Sequence, residues 1–262
     1  MAAAEPPSTS RRRPSTNTGV EHGQRRRLVV EQLLTSIFQG KLKAGERLVI
    51  QDLARRFEMS PTPIREALVT LEGIGIVDIA PNCGAVVRRV TRSDVREVCQ
   101  VRRALECTAV RSACGRISSR ELNELATEFR QRASGNGRQR QRSDRASNAP
   151  RNSPVDSDSA VVDQARELDS RLHDLIAQSC GNRFLSRELG RLKLLFRTFR
   201  DVAWARRSAE QDLMRLPEEA AEHLEIVDAL LDGNAKRASD AMAVHIRSGG
   251  KYWSHGLSTE SD

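Results

Sequence analysis

A mainly α-helical fold in two parts, a small helical unit carrying one β-hairpin followed by an all-α bundle, is predicted by three observations. Apolar residues recur at helical spacing along nearly the whole chain. The only alternating stretch lies between Val77 and Arg89. Two polar, Arg- and Ser-rich segments, at 1–25 and 133–160, interrupt the periodicity and separate tail, domains and insert. The expected division is therefore a disordered basic tail at 1–25, the hairpin-bearing unit at 26–90, the helical domain at 91–250 with an exposed insert at 133–160, and a C-terminal tail at 251–262.

In the first unit, apolar positions 29, 30, 33, 34, 37 and 38 follow i, i+3, i+4 spacing, so a helix starts near Arg27 and stops at Gly40. A short helix around Leu53 and Ala54 follows. The run Ser60-Pro61-Thr62-Pro63 then opens a second helix sharply: Ser60 is placed to cap, and the prolines occupy first-turn positions whose N–H groups would lack intrahelical partners anyway. Ile64, Leu68 and Leu71 face the core, leaving Thr62, Arg65 and Val69 outward. Val77–Ala80, a turn at Pro81-Asn82-Cys83-Gly84, and Val86–Arg89 make a hairpin.

Helix, turn, second helix and hairpin in this order is a winged helix-turn-helix, which offers one helix to the major groove of DNA. Arg65, one turn into that helix, is placed for a bidentate contact to a guanine edge, while Ser60 and Thr62 can bond phosphate or base. Gly84, lacking a side chain, can approach a minor-groove backbone; it also serves as an ordinary turn former.

The helical domain opens with Thr91 and Asp94 at capping-box spacing, giving a helix to about Cys114. Further helices are predicted over Ser119–Gln131, Val161–Gln178, Arg183–Arg207, Pro217–Leu231 and Ala235–Ser248, with Asn182 ending one of them. Asp169 and His173 stand four apart on one helical face, and His223 and His245 follow on two later helices. One carboxylate with three imidazoles suits a divalent ion, zinc first, with nickel or manganese as alternatives. By spacing alone, an Asp and His four apart on a helix are more often a solvent-facing or hydrogen-bonded pair than metal ligands.

The 262 residues carry a formal charge of +8 and 3% aromatic residues. Most of the basic excess precedes Thr91, beside the helix expected to read DNA, as a polyanion partner would require. The five scattered cysteines, odd in number and without a C-x-x-C pair, indicate neither a disulfide framework nor a thiolate metal site, and fit a reducing cytoplasm. Neither a signal peptide nor a membrane span is expected, because no stretch is long and apolar enough.

The first unit resembles the GntR family of bacterial regulators. The resemblance rests on Gly40-x-Leu42-x-x-Gly45-Glu-Arg-Leu48, Leu53-Ala54, Ser60-x-Thr62-Pro63-Ile64-Arg65-Glu66-Ala67-Leu68 and Gly84. It implies operator contacts from Ser60, Thr62, Arg65 and Gly84. The chain departs from the family at Pro61, where many members have Arg, and at Gln51, where some place an Arg toward the backbone. The second part resembles the FCD ligand-sensing domain of the FadR subgroup through Arg102-x-x-Leu105-Glu106, Asp169-x-x-x-His173 with Gly181-Asn182, His223 and His245. This implies that Asp169, His173, His223 and His245 bind a divalent metal that helps hold a small carboxylate effector. Arg102 either pairs with that carboxylate or salt-bridges Glu106 one turn on.

The expectation is a cytoplasmic, homodimeric transcription regulator, a repressor, whose binding to double-stranded operator DNA responds to a small carboxylate metabolite. Two-fold pairing doubles the contact of one winged unit with a palindrome. Two alternatives stand beside it: a metal-dependent enzyme in which an Asp/His3 ion activates water or oxygen, and a constitutive DNA-binding protein whose helical half only dimerises.

Overall fold

The computed structural model describes residues 18–80, 84–89, 91–134, 154–206 and 209–254. The tail up to residue 17, the hairpin turn 81–83, most of the expected insert (135–153) and residues 255–262 lie outside the described residues.

The N-terminal unit comprises α1 (Thr18–Phe38), β1 (Arg47–Leu48), α2 (Ile50–Arg56), α3 (Pro61–Gly73), β2 (Val77–Ala80) and β3 (Gly84–Val87). Helix α1 begins at Thr18, within the stretch expected as tail and ahead of the predicted start at Arg27. It ends before Gly40, whose φ of 72° lies in the left-handed region. Val29, Val30, Leu33, Leu34 and Ile37 are buried, matching the predicted periodicity. The hairpin forms, with Val77 opposite Val87 and Ala80 opposite Gly84. A third strand, β1, adds to its other side, giving a small antiparallel sheet of order β1-β3-β2.

The helical domain comprises α4 (Arg92–Ala113), α5 (Ser119–Ala133), α6 (Pro154–Ser179), α7 (Arg183–Arg206), α8 (Ala209–Leu231) and α9 (Ala235–Ser254). The capping box at Thr91 and Asp94 is present, and a second one, Ser118 with Glu121, opens α5. Asn182 begins a helix rather than ending one: Gly181 (φ 70°) terminates α6, and Asn182 Oδ1 accepts hydrogen bonds from the N–H groups of Phe184 and Leu185 at 3.1 Å, capping α7. Helix α8 begins ahead of the expected Pro217 and runs through that proline. Burial of Leu213, and packing of Leu216 on the N-terminal core, favour this longer helix against the lost hydrogen bond. Helix α9 extends to Ser254, past the expected boundary, because Trp253 is buried.

Two apolar cores result. One lies inside the helical domain, built on Val110, Leu125, Phe129, Leu172, Ile226 and Met242. The other joins the winged unit's Val30, Leu33, Leu34, Leu68 and Leu71 to Leu195 and Phe196 of α7 and Trp253 of α9. No helix is long and apolar enough to cross a membrane among the described residues.

Candidate DNA-reading face and candidate metal centre

Helix α3 buries Pro63, Ile64, Ala67, Leu68 and Leu71 and turns Thr62, Arg65 and Val69 to solvent, so its outward face is set by core packing on the other side. Val69 is 58% exposed, an apolar group a thymine methyl could cover. Ser60 sits at the N-cap position but makes no side-chain cap bond, contrary to the capping role expected of it. Pro61 supplies no N–H, and the exposed hydroxyl of Ser60 is left available to another acceptor or donor. Gln51 is exposed at the start of α2. Gly84 has φ 83°, and a Cβ there would stand 2.1 Å from the Leu48 carbonyl oxygen. The close pairing of β3 with β1 thus requires glycine whatever else approaches it.

In the helical domain the predicted set converges. Asp169 and His173 of α6, His223 of α8 and His245 of α9 each offer one ligand atom, and these atoms all lie within 4.8 Å of one another. Asp169 Oδ1 is 3.5 Å from His173 Nε2 and 3.2 Å from His223 Nε2. His223 and His245 are buried, with ring centroids 4.2 Å apart. Their proximity comes from the contacts of α9 with α8 and α4, and of α6 with α4 and α8.

Surrounding side chains orient the rings. His173 Nδ1 is hydrogen-bonded to Glu106 Oε2, and His245 Nδ1 lies 3.1 Å from Glu222 Oε2. His223 stacks on Phe129 at 5.0 Å between centroids. Burial drives the His245 imidazole well below its ordinary pKa, and the nearby His223 and His173 push the same way, so it is neutral and its lone pair is available. Burial alone would raise the Glu106 carboxyl, but Arg102 and then His173 outweigh it and hold the group well below the usual carboxylate range.

The residues fit a divalent cation on one decisive count. His223 Nε2 is buried and makes no well-formed hydrogen bond among the described residues, only a 3.2 Å approach to Asp169 Oδ1, although such atoms are almost always satisfied. A cation at the convergence point would take that lone pair together with one atom each from Asp169, His173 and His245. Bound there, it would supply a Lewis-acidic point able to take an anionic oxygen of a ligand.

A cavity of about 230 Å³ opens beside the cluster, lined by Arg102, Asp169, His173, Lys193, Phe196 and Trp253 among others. Arg102 is buried and its Nε bonds Glu106, which realises the intrahelical ion pair of the two roles foreseen for it. Its guanidinium also lies 4.7 Å from the Phe196 ring centroid and 5.3 Å from that of Trp253. Lys193 of α7, paired with Asp174, lines the same cavity and went unnoticed in the sequence. So did Glu222. It follows His223 directly, yet adjacent helical residues point about 100° apart, so its reach to His245 on another helix leaves no mark in local spacing. The four described cysteines, Cys99, Cys107, Cys114 and Cys180, are unpaired thiols.

Comparison with known proteins identifies both units. Residues 25–87 match the family model described as bacterial regulatory proteins, gntR family, and residues 97–248 match the FCD domain. The chain is 24% identical over 203 residues to the HTH-type transcriptional repressor RspR of Escherichia coli, covering 78% of this chain and 77% of that protein. It is 24% identical over 229 residues to the HTH-type transcriptional regulator LutR of Bacillus subtilis, covering 80% and 92%. The solved structure of E. coli McbR/YncC shares the fold, with a TM-score of 0.60 at 20% identity over 87% of this chain and 93% of that one. The chain therefore belongs to the GntR family of DNA-binding transcriptional regulators, in the group that carries an FCD effector-binding domain, and not to a family of enzymes.

Proposed function

We propose that this regulator is a homodimeric repressor whose operator binding is set by a small carboxylate effector held in the helical domain with the help of a divalent metal ion, zinc first. Ser60, Thr62 and Arg65 would contact operator DNA, with Gly84 at the wing. Asp169, His173, His223 and His245 would hold the metal. Arg102 would bind the effector, sharing its guanidinium between Glu106 and the incoming carboxylate; Nε is used on Glu106, Nη2 lies 3.4 Å from His173 Nε2, and the residue lines the cavity.

The observation that carries this reading is the buried His223 Nε2, left without a hydrogen bond inside a four-ligand cluster that borders a cavity lined by Arg102 and Lys193 beside Glu106 and Asp174. A repressor is favoured over an activator because RspR bears that description. By linkage, an effector that weakens operator binding binds less tightly to the DNA-bound form.

The test is metal analysis of protein purified without chelator, followed by thermal unfolding with Zn²⁺ and small mono- and dicarboxylates, alone and together. Metal should raise the unfolding temperature, and the right carboxylate should raise it further only in metal-loaded protein; saturation at about 100 times Kd corresponds to about 2.7 kcal/mol. His223→Ala should abolish both shifts. Undiminished metal content in that variant would reject the ligand set, and no response to any carboxylate would favour a helical half that only dimerises.

A further inference from the structure

Two Arg–Glu–His chains converge on the imidazole cluster from opposite sides. On the cavity side, Arg102 bonds Glu106, whose other oxygen meets His173 Nδ1. On the far side, Arg215 reaches both oxygens of Glu222 at 3.0 and 3.1 Å, and Glu222 Oε2 meets His245 Nδ1. Arg215 is further tied to Ser248 Oγ at 2.6 Å and Glu218 at 3.0 Å, so this second chain spans α8 and α9.

We propose that Glu106 and Glu222 are positioning residues of the metal site: each accepts the Nδ1–H of one imidazole, fixes the tautomer that leaves Nε2 unprotonated, and turns that nitrogen toward the convergence point. The inference rests on the metal reading above. Its physical basis is general: an imidazole is ambiguous about which nitrogen carries its proton, and a carboxylate behind one nitrogen removes the ambiguity and makes the other a better donor. An arginine behind each carboxylate restrains it in turn through charge-assisted hydrogen bonds, from Arg102 Nε to Glu106 and from Arg215 Nη2 to both oxygens of Glu222. His223, by contrast, is held by its stack on Phe129, which sets ring plane without selecting a tautomer.

The two chains are not equivalent. Glu106 lines the cavity and is shared with Arg102, so altering it would disturb ligand and metal together. Glu222 lies away from that cavity, in a surface groove with Arg215 and Ser248, and reports on the metal alone. It is therefore the residue to change.

Zn²⁺ affinity would be measured by chelator competition in the wild type, Glu222→Ala, Glu222→Gln and Arg215→Ala, together with the visible absorption of the Co²⁺-loaded forms and the unfolding temperature of each metal-free protein. Glu222→Ala should weaken Zn²⁺ binding about 10- to 100-fold and alter the Co²⁺ bands. Glu222→Gln, whose amide oxygen can accept the same proton, should recover part of the affinity and a wild-type-like spectrum. Arg215→Ala should fall between wild type and Glu222→Ala. If Glu222→Ala fails to fold, the Gln and Arg215 variants decide. Tight wild-type binding with the same affinity and Co²⁺ spectrum in every folded variant would overturn the positioning role while leaving the metal reading intact. Absence of binding by the wild type would overturn both.

Discussion

Ser60, Thr62 and Arg65 stand exposed at the start and along the outer face of α3 and make no side-chain hydrogen bond or ion pair among the described residues, whereas Arg102, Glu106, His173 and His245 are buried or nearly so and each touches the next. The difference separates two ways of keeping a polar group ready. On α3 the groups remain solvated, and their geometry comes entirely from the apolar side of the helix. In the helical domain they are desolvated, and their geometry comes from one another. Changes on α3 should therefore be felt by DNA and scarcely by the fold, and changes around the imidazoles by both ligand and fold.

The largest effect expected from this contrast is that of Arg102→Ala, which leaves the Glu106 carboxylate buried with only His173 against it. Loss of one partner of a buried pair costs about 3–5 kcal/mol, so urea unfolding of metal-free protein should show a clearly lowered midpoint. A change under 1 kcal/mol would mean that water reaches Glu106 and that the pair is not desolvated. Next comes Gly84→Ala, where positive φ and the collision with the Leu48 carbonyl together should cost about 1–3 kcal/mol or more. Because β1 pairs with β3 at this point, hydrogen exchange should accelerate in the sheet and not in α5 or α9. This is the one α3-side or wing position where the contrast should break down, since here a candidate DNA contact is also a structural requirement.

Arg65→Ala sharpens the contrast from the other direction. Discrimination between operator and non-operator DNA should fall by about 1–3 kcal/mol in a titration at fixed salt, while the unfolding midpoint moves by no more than about 0.5 kcal/mol. Equal affinity for operator in variant and wild type would remove Arg65 from the contact set. The smallest effect is expected for Ser60→Ala. An N-cap serine that makes its bond contributes about 1 kcal/mol, but Ser60 makes none, so its replacement should leave stability within a few tenths of a kcal/mol and weaken DNA binding alone.

Helix α3 was legible because its start is written in two prolines and its core face in the spacing of Ile64, Leu68 and Leu71. The opening of α4 was legible through Thr91 and Asp94. The start of α8 was not, since Pro217 mimics a helix beginning and only the tertiary burial of Leu213 carries the helix through it. Strand β1 escaped notice because two residues set no alternation and exist as a strand only through pairing with β3. Among site residues, Asp169 and His173 share a helical face and could be read locally. His223 and His245 could be joined to them only through a family resemblance, because three helices must pack before the four meet. Glu222 and Lys193 had no local signature, because each meets its partner, His245 and Asp174 respectively, on a different helix.

The winged unit closes its interior with borrowed walls. Leu195, Phe196 and Trp253 belong to the helical domain yet lie in the same apolar core as Leu33 and Leu68, with Phe196 and Trp253 stacked at 6.4 Å. A fragment cut after residue 90 would present that face to water, and a chimaera grafting residues 26–90 onto a foreign sensor would inherit a gap where three large side chains had been. Portability of the DNA reader is thus limited by α7 and the end of α9, and any functional transplant has to carry a matching surface from both.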